Sequence, residues 1–64
     1  MDIDEKIAQK IRRMFSLLPF GERKLPIVKV NGKFYTWEEV YKEVERKSEL
    51  ARKMINELKK MGLI

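Results

Sequence analysis

The sequence predicts a small α+β domain: an N-terminal helix, a two-stranded antiparallel hairpin and a long C-terminal helix. Three observations carry this. Apolar residues recur at helical spacing towards both ends of the chain. Asn31-Gly32 separates a β-branched run from an aromatic one, the strongest two-residue hairpin signal. Asp2 with Glu5 and Thr36 with Glu39 each make a capping box, an N-cap oxygen followed three residues later by glutamate.

The first helix is expected from about Ile3 to Leu18. Ile3, Ile7, Ile11, Met14, Phe15 and Leu18 form one apolar stripe, and Lys6, Lys10 and Arg13 make a basic row on the opposite face. Pro19 and Gly21 end the helix, since proline cannot continue it and glycine permits a reversal. Phe20 to Lys24 then reads as a turn.

The hairpin follows. Ile27-Val28-Lys29-Val30 pairs with Lys33-Phe34-Tyr35-Thr36, setting Val30 opposite Lys33 and Val28 opposite Tyr35, with Ile27 and Phe34 on the other face. A lone two-stranded ribbon is marginal in water, so it must lie on the helices or on another chain.

Thr36 caps the last helix, whose stripe is Trp37, Val40, Tyr41, Val44, Ala51, Ile55 and Leu58, with Gly62 as its left-handed C-terminal cap. Leu50, Met54 and Met61 sit off the flank of that stripe. Either the helix breaks near Lys47 and Ser48, or a second apolar surface is buried in a partner.

Composition narrows the function classes. The 64 residues include no histidine and no cysteine, which removes imidazole acid–base chemistry, thiolate nucleophiles and ordinary zinc sites. The carboxylate neighbours Glu38/Glu39, Glu43/Glu45 and Asp2/Asp4 read as helix-end and solvated-face charges. The glycines are isolated, so no phosphate-cradling loop is present. The expectation is a single domain spanning 1–64 that is no enzyme, binds no cofactor or metal and acts by contact.

Charged residues make up 39% of the chain, mostly Lys and Glu, a composition like that of heat-adapted intracellular proteins. No apolar run approaches the ~20 residues that span a bilayer, so a soluble, cytoplasmic protein without membrane partners is expected. The net charge of +5 invites a nucleic-acid partner. Helix-end charges and the i,i+4 pairs Glu38–Lys42, Glu43–Lys47 and Glu49–Lys53 account for much of the same composition.

One stretch points to a partner. In Ala8-Gln9-Lys10-Ile11-Arg12-Arg13-Met14-Phe15, an aliphatic residue is followed three and four positions later by two large apolar ones, the spacing of a helical-turn anchor for a hydrophobic groove. It resembles the sliding-clamp-binding box: Ile11 matches the aliphatic position and Phe15 the second aromatic, while Met14 replaces the first aromatic and Ala8 stands where glutamine is expected. Size, basic character and this near-box together look like the small archaeal inhibitors of the PCNA clamp. That resemblance implies a non-enzymatic regulator of DNA replication that binds the clamp through Ile11, Met14, Phe15 and Leu18, with Lys10 as a further contact. The same spacing arises in amphipathic helices generally, so Ile11, Met14 and Phe15 also read as core, the stronger reading of the spacing alone.

A second resemblance lies at the C-terminus. Met54 to Ile64 looks like the end of a winged-helix recognition helix, in which Ser48 would start the helix and Arg52, Lys53, Asn56 and Lys60 would meet DNA. The hairpin precedes the helix instead of following it, and this reading ranks second. A basic adaptor that self-associates through Leu50, Met54 and Met61 is a third.

Overall fold

The computed structural model describes residues 4–64. The expected capping box of Asp2 with Glu5, and Ile3 with it, falls outside the described part of the chain. Helix α1 spans Glu5–Leu17, and Asp4 caps it by accepting from the Lys6 backbone N–H at 2.9 Å. It ends where Leu18, the residue before Pro19, turns extended at φ −76°, ψ 138°, as the proline ring demands. The expected turn at Phe20–Lys24 is a 3-10 helix.

Strands β1, Pro26–Val30, and β2, Lys33–Thr36, pair antiparallel with Val30 opposite Lys33 and Val28 opposite Tyr35, the register the turn dictates. Asn31 at φ 53° and Gly32 at φ 82° supply the two positive angles of the tight turn. Register slips between Pro26 and Val28, so Ile27 is extra in a bulge beside the start of the ribbon.

The expected long C-terminal helix is two helices. Helix α2, Trp37–Arg46, carries the Thr36–Glu39 capping box in full. Lys47 then adopts the left-handed conformation, φ 54°, ψ 43°, and Ser48 caps a new helix α3, Glu49–Lys60, through the Ala51 N–H at 3.1 Å. The same Ser48 hydroxyl donates to Glu43, tying the end of α2 to the start of α3. The break has a clear cause: serine competes for backbone donors better at a cap than inside a helix. It also re-phases the apolar stripe, so that Met54 joins Ala51, Ile55 and Leu58 in the interior.

The core gathers Ile11 from α1, Val28 and Val30 from β1, Trp37, Val40 and Val44 from α2, and the four α3 residues. Fully burying each large aliphatic side chain contributes roughly 1.5–3 kcal/mol. The ribbon therefore lies on the helices, with its Val28/Val30 face inward and Lys29 and Phe34 outward. Arg12 bridges the helices on the surface, bonding Glu5 at 2.9 Å and Glu45 at 2.7 Å. Its hydrogen bond to Glu5, then that to Glu45, raises the guanidinium pKa above its ordinary value. Glu43 and Glu49 pair three residues on, with Arg46 and Arg52, and not with the lysines four residues on. No helix among the described residues is long and apolar enough to cross a membrane.

Candidate functional site

Of the clamp-like stretch, the aliphatic anchor is buried and the other apolar residues are partly so. Ile11 has no exposed area at all, because α1 turns it inward with Ala8. Met14, Phe15 and Leu18 are half-buried and packed against the core. Phe15 is held on one side by the Tyr41 ring, stacked at 4.5 Å between centroids, and Arg23 lies over it at 4.4 Å. Only Lys10, of the five residues expected there, is exposed, on the opposite face with Lys6, Gln9 and Arg13. The packing has a simple physical origin: a stripe with the spacing of a groove anchor also fits the chain's own α2, where Phe15 meets Tyr41.

The residues of the second reading converge instead. Ala51, Met54, Ile55 and Leu58 point α3 inward, which turns Glu49, Arg52, Lys53, Asn56 and Lys60 outward on one side. The hairpin tip meets that side: Val30 and Asn31 form a shallow groove with Lys53, Asn56, Lys59 and Lys60. Glu57 is the one carboxylate in the lining, and it pairs with Lys60 at 3.3 Å. Arg52, at the edge of the face, pairs with Glu49 at 3.1 Å. Lys53 and Lys59 form no ion pair among the described residues, so the groove is net positive. Val30, Asn31, Glu57 and Lys59 are the four lining residues that sequence reasoning misses. As a residue of the tight turn Asn31 is already fully explained, and only the packing of β1 on α3 sets it beside the lysines.

The self-association surface drawn from Leu50, Met54 and Met61 loses its middle member, since Met54 is fully buried. The most exposed apolar side chains are Leu17, Phe20 and Leu25, around the 3-10 helix, and Phe34 on the ribbon. Among the described residues no cluster of three or more carboxylates is disposed to hold a metal ion. No protein-family model, curated protein sequence or solved structure matches this chain.

Proposed function

We propose that the chain is a non-catalytic binding module whose partner is a nucleic acid, held by the outer side of α3 and the tip of the hairpin. The observation that supports this is one groove in which Lys53, Lys59 and Lys60 meet Asn56 and Asn31 against a single carboxylate. Lysines so arranged neutralise phosphates and release condensed counterions, the main source of sequence-independent affinity. Asparagine on an exposed helix side is suited to a base edge, adenine above all. A few phosphate contacts give a dissociation constant on the order of 10⁻⁵ M at physiological salt.

A protein ring of the sliding-clamp kind is the rival partner. In its favour stand Leu17, Phe20 and Leu25, exposed apolar side chains near the end of the near-box. Against it, Ile11 would have to leave the core, and half-buried Phe15 its stacking on Tyr41, to dock. Fluorescence anisotropy of a short labelled duplex, followed through a salt series, separates the two. Nucleic-acid binding loses about 0.9 log units of affinity per neutralised phosphate for each log unit of salt. Salt-insensitive capture of a purified clamp, with no duplex binding at low salt, would transfer the assignment to the ring.

A further inference from the structure

We infer that the outer face of the hairpin is a stacking platform for single-stranded nucleic acid, with Phe34 as the ring that receives a base and Lys29 as its phosphate contact. This rests on the nucleic-acid reading above and narrows it to the form of the polymer.

Phe34 is 61% exposed on a face that no helix covers. Its cross-strand neighbour is Lys29, whose Nζ lies 5.4 Å from the ring centroid. Lys33, next to Phe34 in the chain, belongs to the other face with Val30 and Tyr35, its Nζ 5.3 Å from the Tyr35 ring. No acidic residue occurs anywhere from Pro26 to Thr36, and neither Lys29 nor Lys33 forms an ion pair among the described residues. The outer face of the ribbon therefore presents an aromatic ring and a cation, with no carboxylate in either strand, the complement of a polyanion that carries flat apolar bases.

Duplex DNA cannot use the ring, because its base faces are already stacked on one another. A single strand can, and every base offers such a face whatever the sequence. Asn31, at the tip of the same ribbon, lines the α3 groove, so the hairpin is common to both surfaces. The Lys29–Phe34 pair also steadies the ribbon as a cross-strand contact, which is why stability must be read alongside binding.

The test measures anisotropy of a labelled single-stranded oligodeoxynucleotide and of its matched duplex, with the wild type, Phe34→Leu, Phe34→Trp and Lys53→Glu. Phe34→Leu keeps apolar bulk but removes the π face. It should weaken single-strand binding by about 5-fold or more, the loss expected for one stacked base, and leave duplex binding nearly unchanged. Phe34→Trp should retain single-strand binding, and its new indole should be quenched by the single strand, against the steady emission of buried Trp37. Lys53→Glu should weaken both ligands. Thermal melts establish that each variant is folded at the assay temperature, and the Phe34→Trp quenching stands even if Phe34→Leu is not. Equal effects of Phe34→Leu on both polymers, or no effect on either, with Lys53→Glu still weakening both, would overturn the platform and leave the nucleic-acid reading intact. Poly-glutamate competing as well as the single strand would overturn it too. Wild-type protein that binds neither polymer would remove the nucleic-acid reading itself, and the platform with it.

Discussion

The rings of Phe15 and Tyr41 stack with centroids 4.5 Å apart and planes inclined by 10°, fastening α1 to α2. That stacking turns the most partner-like stretch of the sequence into part of the fold. Phe15→Ala should therefore destabilise the protein near the lower end of the about 3 to 5 kcal/mol seen for aromatic truncation in cores, since the ring is only half-buried. Chemical denaturation measures it. A change below about 1 kcal/mol would mean that the ring is held by something other than this packing.

Lys47 occupies a left-handed position that its Cβ disfavours, between two helices whose caps fix the turn. Lys47→Gly should raise stability by about 1 kcal/mol, and the melting temperature by about 4–8 °C for a domain of this size. A lowered melting temperature would show that the lysine side chain, and not its backbone, stabilises the junction.

Gly32 has φ 82°, and a Cβ added there would meet nothing within 4 Å. Gly32→Ala should still cost about 1 kcal/mol, from backbone conformation alone. Amide exchange across β1 and β2 should accelerate while α1 is much less affected. Uniform acceleration throughout would show that the ribbon does not open on its own.

The hairpin is legible in the sequence because its determinants are local: Asn31-Gly32 fixes the turn, the turn fixes the register, and the alternation of Val28 and Val30 with Lys29 fixes the buried face. The bulge at Ile27 is not, since it exists only in how Pro26 and Val28 pair across the ribbon with Thr36 and Tyr35. The break at Lys47 is visible only as one of two ways to bury Leu50, Met54 and Met61, because a serine inside a charged run signals a cap and a solvated face equally well. Ile11, Met14 and Phe15 show the deeper limit. Spacing identifies an apolar stripe, but whether α2 or another protein covers it depends on residues far away in the chain, such as Tyr41, which stacks on Phe15. Arg52, Lys53, Asn56 and Lys60 are readable as one side of a helix, whereas Asn31 joins them only through tertiary packing.

The central claim is that nucleic acid is held at the α3 groove, and the salt dependence of duplex binding by two paired variants tests its location most directly. Lys53→Ala with Lys59→Ala should reduce the slope of log K against log salt by about 0.9 for each phosphate that the protein no longer neutralises. Lys6→Ala with Lys10→Ala, on the outer side of α1, removes the same formal charge and should leave the slope unchanged. An unaltered slope in the α3 variant, or a reduced one in the α1 variant, would contradict the claim.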